Sequence, residues 1–148
     1  MKNDAVSFEE YLARYGSMTY TNVGISMLPL LHQGKDLFTV VRKTDERCKV
    51  GDVVLYRRDT QYVLHRIVEV RDKEYVILGD NCINREYGVT DHDIIGILTH
   101  YKRNGKEHST ADFEFRLYTA FWLRTEKLRV FLKRGCLWVK NHFLTAKR

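Results

Sequence analysis

Val53-Val54-Leu55-Tyr56, a polar break from Arg57 to Gln61, and then Tyr62-Val63-Leu64-His65-Arg66-Ile67-Val68-Glu69-Val70 form the stretch that decides the fold. The first run is apolar without interruption and bounded by Gly51-Asp52. That pattern suits a strand buried on both faces. The second is the longest strand candidate in the chain, rich in β-branched and aromatic residues. The two read as a hairpin turning between Arg57 and Gln61. Outward from it, Met18 to Val23, Asp36 to Arg42, Glu74 to Leu78 and Asp93 to Leu98 carry the same signature. Short strands separated by turn residues predict a mainly β fold, a small β-barrel or folded sheet.

The two ends read differently. Ser7-Phe8-Glu9-Glu10 has the form of a capping box, and Gly16 supplies a helix stop, so a short helix is predicted from Phe8 to Tyr15. Beyond Asn104-Gly105, the residues Leu117, Phe121, Leu128, Phe131, Leu132, Trp138 and Val139 recur near a 3.6-residue period. Asp112 is a plausible N-cap. One long basic helix is predicted, or two joined near Gly135. The divisions expected are an N-terminal helix over 1–17, a β domain over 18–105 and a basic amphipathic helical tail over 106–148.

With 148 residues the chain has the size of one domain that can bury a real core. Its net charge of +6 is concentrated at one end. From Phe113 to Arg148 nine basic residues face only Glu114 and Glu126, which leaves the rest near neutral. Two readings of this tail stay open. In one, its apolar stripe packs on the β domain and its basic face is solvated. In the other, Trp and Phe with Lys and Arg make an interfacial helix on an anionic membrane surface through residues 113–148. Nucleic acid is not the expected partner, since no recognition motif accompanies the charge.

Cys48, Cys82 and Cys136 are odd in number and widely spaced, which fits a reducing compartment better than a disulfide framework. Residues 1–16 lack the apolar core of a signal peptide, and no run approaches the ~18 apolar residues of a membrane span. The expected location is cytoplasmic, peripheral at the inner face of a membrane where the tail binds one. No Cys/His cluster has zinc-ligand spacing, and no cofactor is expected.

Three segments carry chemistry together. They are Gly24-Ile25-Ser26-Met27-Leu28-Pro29 with Gly34-Lys35-Asp36 behind it, then Lys49-Val50-Gly51-Asp52-Val53-Val54 followed by Leu64-His65-Arg66-Ile67, then Leu78-Gly79-Asp80-Asn81 leading to Asp93-Ile94-Ile95-Gly96. Their order and spacing resemble the signal peptidase I family, within the wider group that includes the LexA-like self-cleaving repressors. The resemblance covers roughly residues 20 to 98, about half of the chain.

It implies a serine endopeptidase acting on an extended peptide or precursor protein, with Ser26 as nucleophile and His65 as base. A serine hydroxyl attacks only once a base takes its proton. Most bacterial members place a lysine on this strand. His65 resembles the endoplasmic-reticulum type, and a histidine starts near pKa ~6.5 and needs only a modest shift. In the family, the nucleophile's N–H and often a hydroxyl two residues earlier hold the oxyanion. Gly24 stands there without a hydroxyl, and one such donor is worth ~3–4 kcal/mol.

A histidine base wants an acid on its other ring nitrogen. Asp80 and Glu86 are the two candidates, with Asp80 preferred because its Gly-Asp-Asn motif is intact. Met27 is expected near the substrate groove, and Arg66 as an anchor for a loop or the sheet edge. Cys82 lies beside the site with no other landmark to make it a nucleophile. The alternative function is a catalytically weak or inactive peptide-binding module of the same fold. A LexA-type self-cleaving regulator fits less well, since the chain holds no Ala-Gly or Cys-Gly cleavage pair.

Overall fold

The computed structural model describes residues 6–145. The central hairpin consists of β3 (Val53–Arg58) and β4 (Gln61–Val70), paired antiparallel from Arg58↔Gln61 to Val53↔Arg66. Asp59 and Thr60 make the turn, and Asp59 takes φ 54°, a region Asp enters more readily than most residues. Val53 and Leu55 enter one apolar cluster and Val54 and Tyr56 another. Successive strand side chains point to opposite faces, so the uninterrupted apolar run gives a strand buried on both.

Around the hairpin lie β1 (Ser17–Thr21), β2 (Leu37–Arg42), β5 (Tyr75–Leu78), β6 (Glu86–Val89), β7 (Ile94–Arg103) and β8 (Lys106–Ser109). All pairings are antiparallel, in the order β1-β2-β7-β3-β4-β5-β6, with β8 on β7. The terminal strands β1 and β6 do not pair, so of the two forms expected, barrel or sheet, the sheet is found and it is not closed. β6 is too short and irregular to extend closure: its pairs with β5 are Tyr75↔Val89 and Ile77↔Glu86, with Gly88 at φ 76° between. β6 and β8 leave little mark in the sequence pattern, because Glu-Tyr-Gly-Val is only four residues long and interrupted by Gly88, and Lys-Glu-His-Ser has no apolar residue.

Helix α1 (Phe8–Tyr15) starts at the expected capping box and ends at Gly16 in the left-handed region, φ 75°. Leu12 anchors it in the larger core. The tail forms α2 (Phe113–Arg124) and α3 (Glu126–Thr145). Their join is at Thr125, not at Gly135. The Thr125 hydroxyl donates back to the Phe121 carbonyl at 2.8 Å, and its ψ of 3° leaves the helix. Gly135 sits inside α3, exposed, where it costs only ~1 kcal/mol.

The first reading of the tail is overturned. Leu117, Phe121, Leu128, Phe131 and Trp138 all point to solvent, and the inward side of the helices carries Phe115, Tyr118, Trp122, Glu126 and Arg129. Leu55→Ala is expected to lower the unfolding free energy by about 2–5 kcal/mol. Phe131→Ala is expected to change it by no more than about 0.5 kcal/mol. Urea denaturation of both variants checks the contrast.

Candidate active site

His65 lies on β4 and is 4% exposed. In the hairpin register Tyr56 faces Val63, which makes Tyr56 the diagonal same-face neighbour of His65. Its Oη lies 3.3 Å from His65 Nδ1 and donates to Glu86 Oε2 at 2.7 Å. Glu86 Oε1 lies 3.2 Å from the same Nδ1 and accepts from Arg58 at 2.9 Å. With the Tyr56 proton committed to Glu86, the ring's Nδ1–H is the donor to this group and Nε2 is left as an acceptor. Burial holds the imidazole below the ordinary histidine value, against the opposing pull of Glu86. The imidazole is therefore neutral near pH 7. Burial and Glu86 also push the Tyr56 phenol up, so it stays protonated.

Ser26 occupies a turn between β1 and β2, behind Gly24 at φ 88°. The turn that follows β5 clasps it. Asn81 N–H donates to the Ser26 carbonyl at 2.8 Å, and Asn81 Nδ2 donates to the Ile25 carbonyl at 3.0 Å. Gly79 is where the parts meet. A Cβ there would stand 2.7 Å from Cys82 Sγ, 2.8 Å from Ser26 O and 2.9 Å from His65 Nε2. The acceptor nitrogen of His65 and the Ser26 turn thus abut the same glycine. Ser26, His65, Cys82 and Glu86 all line one cleft of about 870 Å³. Among the described residues, the Ser26 hydroxyl and backbone N–H take part in no hydrogen bond. Burial pushes the Cys82 thiol up, which disfavours the nucleophilic thiolate.

Of the two candidate acids, the structure brings Glu86 to His65 and gives Asp80 to Arg66. Arg66 Nε and Nη2 donate to the two Asp80 oxygens at 2.8 and 2.9 Å, and both side chains are 1% exposed. Tyr118 Oη donates to Asp80 Oδ2 at 2.8 Å. Asp80 thus ties its own turn to β4 and α2. Arg66 is the anchor expected: its Nη1 also donates to the Gly51 carbonyl at 2.9 Å and to Thr119 at 2.8 Å. Met27 lies behind the groove rather than in its lining, in the cluster that holds the lining residues Phe38, Leu55 and Leu64. It is 1% exposed inside the larger core.

The tail helices belong to this site. Trp122 Nε1 and Arg129 Nη1 donate to the Asp80 carbonyl at 3.0 and 3.1 Å. Lys133 Nζ donates to both oxygens of Asn81 and lines the cleft. The turn that touches Ser26 on one side is thus held by α2 and α3 on the other. Tyr56 and Arg58 could have been found from the hairpin register, which sets both on the His65 face. Trp122, Arg129 and Lys133 carried no local signal, because their partners lie about forty residues or more away in sequence.

No model of a known protein family matches the chain, and no curated protein matches it.

Asp80→Asn is expected to destabilise the fold by about 3–5 kcal/mol, because it leaves Arg66 buried without its charge partner. Glu86→Gln, at a partly exposed position, is expected to cost about 1 kcal/mol or less. Thermal or urea unfolding of the two variants separates a structural acid from one serving His65.

Proposed function

We propose that the chain is a serine endopeptidase of the signal-peptidase type, with Ser26 as nucleophile, His65 as base and Glu86 as the acid that orients it. One observation carries the reading: a buried neutral imidazole has Nδ1 on Glu86 and Nε2 against the glycine that also contacts the Ser26 turn. In this mechanism Nε2 takes the Ser26 proton as Oγ attacks the scissile carbonyl. Glu86 steadies the imidazolium, and the Ser26 N–H donates to the oxyanion. The proton then passes to the leaving amine, and water releases the acyl group by the same steps in reverse. No cofactor enters.

The cleft supports an extended substrate. β4 pairs with β5 only over Arg66–Val70, so the edge of Gln61–His65 on that side is open and lines the cleft. A peptide can add there as a strand, its main chain supplying the bonds. Gly24 brings no hydroxyl to the oxyanion, which favours the alternative, a slow or inactive peptide-binding module.

A serine-directed fluorophosphonate decides between them. Ser26 is expected to be labelled and Ser26→Ala not, with labelling kept in Cys82→Ala. His65→Ala is expected to slow labelling by about 10²–10⁴-fold. Failure to find a Ser26-dependent adduct anywhere between about pH 6 and 9, a span that includes pH values where a histidine held below ~6.5 is fully neutral, would establish the binding module instead.

The pH dependence has a definite sign. The folded state holds His65 below its unfolded value of ~6.5, so the base is lost only as pH falls through that lower value. The acid limb of kcat/KM is therefore expected below pH ~6.5. Stability also declines from ~6.5 down to the folded value, because the unfolded chain binds the proton first. A limb above the ordinary histidine range would rule out His65 as the base.

A further inference from the structure

The outer face of α2 and α3 is apolar where a helix packed on a sheet should be polar. Phe113, Phe131 and Phe143 are 75%, 73% and 73% exposed, and Trp138 is 62% exposed. The helices cannot roll to bury them. Their inner side is bonded to the body through Trp122, Arg129 and Lys133, and Arg85 donates twice to Glu126 at 2.7 and 2.9 Å. A contiguous apolar strip of this kind marks an interaction surface.

Charge says what covers it. Arg116, Lys127 and Arg134 are exposed and fall 11 and then 7 residues apart. Lys127 and Arg134 lie on α3 about two helical turns apart, so they line one flank of its strip, and Arg116 adds an exposed cation on α2. Of the two acids in the segment, Glu126 is turned inward onto Arg85 and does not offset them. We propose that this face of α2 and α3 docks in the plane of an anionic lipid surface, the aromatic side chains entering the headgroup boundary and the flanking cations meeting lipid phosphates. No helix among the described residues is long and apolar enough to cross a membrane, so the contact is one of lying on it. A second copy of the chain would bring two basic faces together. A nucleic acid would leave the aromatic strip in water.

The test is co-sedimentation of the full chain with phosphatidylcholine vesicles, with and without phosphatidylglycerol. Binding is expected only where phosphatidylglycerol is present, with a blue shift of tryptophan emission. The triple variant Arg116→Gln, Lys127→Gln, Arg134→Gln is expected to weaken it about a hundredfold. Phe131→Glu with Trp138→Glu is expected to abolish it. All five positions are exposed, so unchanged melting temperatures are expected. Equal binding to both vesicle types overturns the proposal. So does the absence of both sedimentation and emission shift in the parent chain. A concentration-dependent dimer dissolved by Phe131→Glu, with no vesicle binding, assigns the face to a second copy instead.

Discussion

The buried pairing of Arg66 with Asp80 is the constraint from which the rest of the arrangement follows. Taking two charges out of water costs several kcal/mol per ion, and attraction alone does not return it. The cost is offset only when the remaining donors and acceptors are also satisfied. Here Arg66 reaches Asp80, Gly51 and Thr119, and Asp80 also receives Tyr118. One network therefore ties β4, the Gly51 turn, the turn after β5 and α2 to each other. His65 and Arg66 are neighbours on β4 and point to opposite faces, so the strand that is pinned on one side presents the imidazole on the other.

Two carboxylates with separate surroundings follow from this. Asp80 faces a cation that never loses its proton and serves to hold shape. Glu86 faces an imidazole whose charge can change, with Tyr56 and Arg58 dividing its other positions.

Much of the sheet was legible because burial leaves a period in the sequence. The apolar run at Val53–Tyr56 encoded a strand covered on both faces, and Ser7, Glu10 and Gly16 encoded both ends of α1. The polar edge strand Lys106–Ser109 left no such trace. The tail misleads in an instructive way. Its helical period is real, but periodicity does not say which side of a helix has a partner, and here the apolar side has none in the fold. The Ser26 and His65 segments could be picked out by motif. The choice between Asp80 and Glu86 could not, since it rests on Arg66 claiming the first, a contact between β4 and a turn fourteen residues on.

Gly79 shows how little freedom this packing leaves. Every other amino acid carries a Cβ, so no smaller replacement exists for a glycine already in contact. Of the three atoms that would meet that carbon, two belong to side chains and the third is the Ser26 carbonyl, part of the main chain. Trimming Cys82 by a second mutation relieves one clash, and trimming His65 removes the buried imidazole. Neither moves the carbonyl. The position is thus a dead end for compensatory change: once lost, it is regained by reversion rather than by suppressors elsewhere.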